Sequence, residues 1–296
     1  MLAYGDLLEN KDDFFTSLVE NFTYDGDFYC APKDFSTLAL IINDDLWDAA
    51  GLTEADYPKD WDELVKVSEK LTEGDAVGLA FGAEYARVGA FMAQAGGGIV
   101  KDGKAIADSE HNVKALDFIK KNLDNGNFAF AADVGAGWGG EAFGKELAAM
   151  VVEGNWITGA MENDFPDVSY TVVELPADEQ KGTLQFTNCW GIATDSPNQQ
   201  GALELVEYLT STEQQLAFSK AFGVMPSIRS AADEWKVENP EMAAFIDGAD
   251  YAQFIPPVEG IAEVISDFNA QLETLKTADS EAILQTVQNN LEPLLG

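Results

Sequence analysis

The chain has 296 residues, which predicts about two domains at ~150 residues each, and its 46% apolar content is enough for a sizeable core. Seventeen basic against 52 acidic side chains leave a net charge of −35, and Arg87 and Arg229 are the only arginines. Such a surface is solvated and self-repelling. It argues against nucleic-acid binding and against adsorption to anionic membranes, since both need basic density. No apolar run reaches the ~18 residues of a membrane-crossing helix.

In chain order, the first apolar strand is predicted over Leu38 to Ile42. Asp60 is expected to cap a helix carrying Trp61, Leu64, Val65 and Leu71 on one stripe, with Glu63 completing the cap. A second strand runs from Gly78 to Phe81. Gly96-Gly97-Gly98 lacks the Lys-Ser/Thr of a phosphate loop and reads as a flexible turn. Ser109 caps a helix bearing Val113, Leu116, Ile119 and Leu123, and Gly126 stops it. Ala148 to Val152 is a strand that runs into a Gly154-Asn155-Trp156 turn, and Tyr170 to Val173 is another. A further strand is expected from Trp190 to Thr194. Ser196-Pro197 then opens a helix with Ala202, Leu205, Val206 and Leu209 facing inward. Ser211 and Gln214 form a capping box for a helix ending near Gly223, and the chain closes on helices over 260–276 and 280–291. Helices alternating with short apolar strands argue for α/β sheets.

Catalytic and metal signatures are weak. His111, the only histidine, falls in the polar first turn of a helix and reads as a surface residue. There is no Gly-x-Ser-x-Gly elbow, no His-Glu-x-x-His and no cysteine pair at ligand spacing. No catalytic residue, metal or cofactor is therefore assigned. Asp25-Gly26-Asp27 reads as a turn. Cys30 and Cys189 are read as two buried thiols in preference to one bridge. The aromatics carry more: Trp138, Trp156 and Trp190 each stand beside a glycine at an element end, whereas Trp47, Trp61 and Trp235 read as packing. In open α/β sheets ligands collect outside the carboxyl ends of strands. An indole there offers a flat face to a sugar ring. The start, Met1-Leu2-Ala3-Tyr4-Gly5-Asp6, has neither a basic segment nor an apolar signal core.

Several phrases, in order, resemble the extracellular solute-binding proteins of bacterial ABC sugar importers, the maltose-binding-protein-like family. They are Cys30-Ala31-Pro32, Leu40 to Trp47, Ala50-Gly51-Leu52, Pro58-Lys59-Asp60-Trp61-Asp62-Glu63-Leu64, Gln94-Ala95-Gly96-Gly97, Ala142 through Trp156, Trp190 to Ala193 and Gly223-Val224-Met225-Pro226. Asn155, Ile42 and the Ile261-Ala262 pair depart from the family's usual residues.

The resemblance implies a type II-like, two-lobed periplasmic-binding-protein fold with an interlobe ligand cleft. Lobe one would be 1–35 and 190–250, and lobe two 36–189 and 251–296. Crossovers would lie near Asp34 to Thr37, Thr187 to Trp190 and Gly248 to Phe254. Family members carry an export signal and two or three strand–helix units ahead of the point matched by Leu7-Leu8, so the first lobe is expected to be incomplete at its N-terminus. The expected location is extracytoplasmic, either periplasmic or as a cell-surface lipoprotein.

The implied function is capture of a carbohydrate, an oligosaccharide by preference, through hinge closure and its delivery to ABC permease subunits by a monomer. Trp156 matches the family's stacking tryptophan. Glu84 matches a cleft carboxylate by its spacing to Gly96, and Ser36 a polar hinge position. Tyr85, Trp138, Asn188 and Trp190 are adjacent to the motifs. The alternatives are a polyamine or peptide ligand, a glycoside hydrolase, and a sensory binding protein.

Overall fold

A computed structural model describes residues 1–74 and 76–296. The chain divides into two compact units, Met1–Thr37 with Gln185–Phe254, and Leu38–Leu184 with Ile255–Gly296. The switch at 184–185 precedes the 187–190 crossover expected from sequence.

In the first unit, the leading part of strand Cys30–Asn43 pairs antiparallel with the trailing part of strand Thr183–Gly191, with Gln185 opposite Thr37 and Gly191 opposite Cys30. The register slips between Asn188 and Cys189. The strand expected from Trp190 onward in fact ends at Gly191. Before it, Asp25 (φ 52°) and Gly26 (φ 85°) make the left-handed turn of a hairpin between Thr23–Tyr24 and Asp27–Phe28. Helices Gln199–Leu209, Thr212–Phe222 and Arg229–Glu238 come after it. Tyr4, Phe14, Phe28, Ile192 and Val206 form the core. The Tyr4 hydroxyl donates to the Trp190 carbonyl and accepts from Ala31 N–H at 2.9 Å.

Two expectations change here. Leu205, placed inward by helical spacing, is 55% exposed. Cys30 and Cys189 form a disulfide, with Cα atoms 5.4 Å apart, instead of two thiols. The antiparallel register brings the two strands side by side at these positions, which their 159-residue separation in sequence hides.

The second unit is built on a mixed sheet. Leu38–Asn43 pairs antiparallel with Ala148–Gly154 on one side and Tyr170–Val173 on the other. Beyond Ala148–Gly154, Val77–Phe81 and then Phe128–Phe130 run parallel to it. The runs Leu38-Ala39-Leu40-Ile41-Ile42 and Ala148-Ala149-Met150-Val151-Val152 lack alternation because side chains on both faces of the sheet are buried. Asp60 caps helix Trp61–Leu71, its carboxylate accepting from Glu63 N–H at 2.8 Å. Trp61 stacks on Phe118 at 4.1 Å, and its indole N–H donates to Gln94 at 2.7 Å.

Gly96-Gly97-Gly98 is not a loose turn. The buried Asn112 side chain donates to the Gly98 carbonyl at 2.7 Å and accepts from Gly98 N–H at 3.0 Å, and a Cβ on Gly97 would collide with its Oδ1. Gly78 is equally constrained, since a Cβ there would strike the Ser68 backbone of helix Trp61–Leu71. Gly78→Ala should therefore cost about 1–3 kcal/mol by forcing strand and helix apart. Chemical denaturation would read this as a lowered midpoint; an unchanged midpoint would refute the close approach.

Candidate functional site

The three parallel strands of the second unit point their carboxyl ends the same way. The segments that leave those ends are therefore gathered at one edge of the sheet. After Val77–Phe81 come Gly82, Ala83 and Glu84; after Phe128–Phe130 come Ala131 to Trp138; after Ala148–Gly154 come Asn155 and Trp156. A cavity of about 540 Å³ opens there, lined by Glu84, Asp133, Trp138, Gly139, Asn269 and Glu273 among others. Asn269 comes from helix Ile261–Leu272, and its Oδ1 accepts from Tyr85 N–H at 2.8 Å. A depression of similar volume lies over helix Trp61–Leu71, but its wall is mostly Lys and Glu side chains with no aromatic ring.

Beside the cavity is a charged network. The Arg87 guanidinium pairs with Glu84 at 2.9 Å and with Glu153 at 2.7 Å. The same Glu153 oxygen, Oε2, accepts from the Trp156 indole N–H at 2.9 Å. Arg87 also lies 5.2 Å from the Trp156 ring centroid, within range of a cation–π contact. The Glu153 side chain is 1% exposed. Burial pushes its carboxyl above the ordinary carboxylate range, opposed by the Arg87 charge and by hydrogen bonds from Arg87 and Trp156. Trp156 opens helix Ile157–Asp164 and keeps 37% of its surface exposed. Its ring lies against Gly154, where a Cβ would collide with it, and Trp138 folds back over Gly140 in the same way.

Of the residues singled out in the sequence, the structure gathers Glu84 and Trp138 on the cavity wall, with Trp156 joined to Glu84 through Arg87. Tyr85 belongs instead to the core: it is 2% exposed, packs on Phe268 at 5.9 Å and leaves no face for a ligand. It opens a helix whose inward stripe claims the ring. Ser36, Asn188 and Trp190 lie in the first unit. Ser36 is half-buried and opposite Phe186, Asn188 is exposed and opposite Asp34, and Trp190 lines a depression with Lys33, Phe218 and Phe222. His111 is exposed and stands 3.6 Å from Glu179. Among the described residues no cluster of His, Cys, Asp and Glu could hold a metal ion.

Sequence reading passed over Arg87, Glu153, Asp133, Asn269 and Glu273. Two of them did carry a signal. Glu153 is a carboxylate at the end of an uninterrupted apolar strand run, and Arg87 is one of only two arginines. A buried carboxylate implies a partner cation.

The fold is that of the solute-binding proteins of ABC transporters. The solved solute-binding protein of Thermotoga lettingae TMO, bound with α-D-tagatose, superposes with a TM-score of 0.85 at 22% identity, covering 99% of this chain and 79% of that one. The family of bacterial extracellular solute-binding proteins matches residues 2–244, and this chain belongs to it. A candidate binding protein of Brucella abortus (strain 2308) is 23% identical over 309 residues, covering 96% of this chain and 73% of that one. The arabinooligosaccharide-binding protein of Bacillus subtilis (strain 168) is 26% identical over 220 residues, or 72% of this chain and 49% of that protein.

Proposed function

We propose that this chain captures a carbohydrate outside the cytoplasm and hands it unaltered to the permease of an ABC importer, working as a monomer. The observation that carries the reading is the convergence at one strand-end edge of an exposed indole, Trp156, with a cavity walled by Trp138, Glu84 and Asn269. A sugar presents a C–H face that lies on an aromatic ring and hydroxyls that pair with carboxylates and amides. The named ligands of the Bacillus and Thermotoga relatives, an arabinooligosaccharide and a ketose, are both carbohydrates. The Cys30–Cys189 disulfide supports an oxidising, extracytoplasmic setting.

A thermal-shift screen over mono- and oligosaccharides tests the reading, because a ligand of the folded state alone raises its apparent stability. No shift across the panel would reject a sugar ligand, and turnover of a chromogenic glycoside would reject a purely binding role. Glu84→Gln should weaken the sugar found in the screen by roughly 0.5–2 kcal/mol, as expected when a charged acceptor becomes neutral. Unchanged isotherms across the panel would remove Glu84 from the site.

A second reading rests on the cavity's charge. Glu84, Asp133 and Glu273 line it together with the Trp138 ring, which suits a cationic solute such as an amino sugar or a polyamine. Amino sugars and polyamines in the same screen decide between the two.

A further inference from the structure

Glu153 sits in an unusual position. It belongs to a strand in which every residue is buried, and it is itself fully buried. A lone carboxylate there is costly, so its contacts define what it is for. Oε2 takes two charge-assisted or polar donors, Arg87 Nη2 at 2.7 Å and Trp156 Nε1 at 2.9 Å. Arg87 then reaches Glu84 on the cavity wall at 2.9 Å. The other oxygen, Oε1, is buried without a hydrogen-bond partner among the described residues and faces Gly139, where a Cβ would come within 2.6 Å of it. Gly139 is part of the cavity wall and directly succeeds Trp138.

We infer that Glu153 is the positioning residue of this site, one carboxylate setting the Trp156 indole, the Arg87 guanidinium and the Gly139 wall beside Trp138 in a single arrangement. It need not touch the ligand. Its Oε2 accepts the indole edge proton and thereby selects one orientation of a ring that keeps about a third of its surface exposed. The same oxygen holds Arg87 against that ring and across to Glu84. Gly139 is then fixed as glycine, since any side chain there would push on Oε1. Preorganisation of this kind improves affinity by removing the cost of ordering groups at binding. The inference deepens the proposed sugar-binding role and rests on it for its effect on affinity, though not for its effect on Trp156.

The test uses the full chain and two separate readouts. In a ¹⁵N-labelled sample the six tryptophans give indole N–H resonances, and the one lost in Trp156→Ala belongs to Trp156. Glu153→Ala should shift that resonance and speed its exchange with water, whereas Glu153→Gln, which keeps an acceptor oxygen, should preserve slow exchange. Gly139→Ala, which removes no polar group, should shift it as well, and it serves if Glu153→Ala fails to fold. An unmoved resonance in both Glu153→Ala and Gly139→Ala overturns the inference, whatever the ligand turns out to be.

With the sugar from the screen, Glu153→Ala should weaken binding about tenfold. The same change made in Trp156→Ala should cost clearly less than tenfold, because the share of Glu153 that acts through the indole is already gone. A full tenfold loss in that background would show that Glu153 does not act through Trp156 and would overturn the inference. If Trp156→Ala leaves sugar affinity untouched while the resonance still moves in Glu153→Ala, the sugar site is wrong and the positioning role stands.

Discussion

Replacing Trp156 with alanine is expected to weaken carbohydrate binding by about 1–3 kcal/mol, or roughly five- to 150-fold, while leaving the protein folded. The size comes from area. An indole can bury 150–250 Å² of surface in all, and only the exposed third of this one is available to a ligand, so ~60–80 Å² at about 25 cal/mol per Å² supplies 1.5–2 kcal/mol. The fold should survive because the ring makes an edge contact to Glu153 and lies on Gly154 without filling the core. Leaving the Glu153 carboxylate one donor short costs about 1–3 kcal/mol, less than the usual margin of 5–15 kcal/mol. Trp156→Phe keeps an apolar face but loses the indole donor, so it should fall between wild type and alanine. Titration calorimetry on both variants, beside their melting curves, decides the matter. Full affinity in a folded Trp156→Ala protein would end the stacking role.

The second large effect is expected from the Cys30–Cys189 bridge. Opening it, by reductant or by the paired change Cys30→Ser with Cys189→Ser, should destabilise the protein by about 2–5 kcal/mol. The bond ties strand Cys30–Asn43 to strand Thr183–Gly191 across a sequence separation of 159 residues, and the chain it closes includes all of 38–184. Long loops give the largest entropic benefit in the chain-entropy account, although the gain rises only by ~0.6 kcal/mol per doubling. The bridge also stands beside a register slip at Asn188/Cys189, where the ladder itself is weakest. Removing both cysteines avoids leaving a lone buried thiol. The measurement is the denaturation midpoint with and without reductant, together with thiol titration of the unfolded, unreduced protein. Two titratable thiols, or equal midpoints, would show that the bridge is absent or idle.

The part of the fold that could be read directly was local. Asp60 at the start of one helix, Ser109 and Gly126 at the two ends of another and Ser211 and Gly223 at the ends of a third mark boundaries where the helices do begin and stop, although only Asp60 of the three caps makes a side-chain cap bond and the Ser211–Gln214 capping box does not form. The strands over Leu38 to Ile42, Gly78 to Phe81 and Ala148 to Val152 were visible as short apolar runs. Position-specific readings failed where helix stripes compete. Leu205 keeps the spacing of an inward residue yet faces solvent, and Tyr85, beside Glu84 in sequence, turns into the core because it starts the inward stripe of its helix.

The sequence by itself determined that an extremely acidic α/β chain sets Trp138 and Trp156 beside glycines at element ends, next to strands too apolar to be anything but interior. Only the tertiary structure decided which distant groups meet: Cys30 with Cys189, Asn112 with Gly97 and Gly98, and Arg87 with Glu153. The reason is physical. A cap or an apolar run acts through neighbours along the chain, whereas a buried charge, a thiol or a close-packed glycine takes its meaning from a partner that strand register and helix packing deliver from tens of residues away.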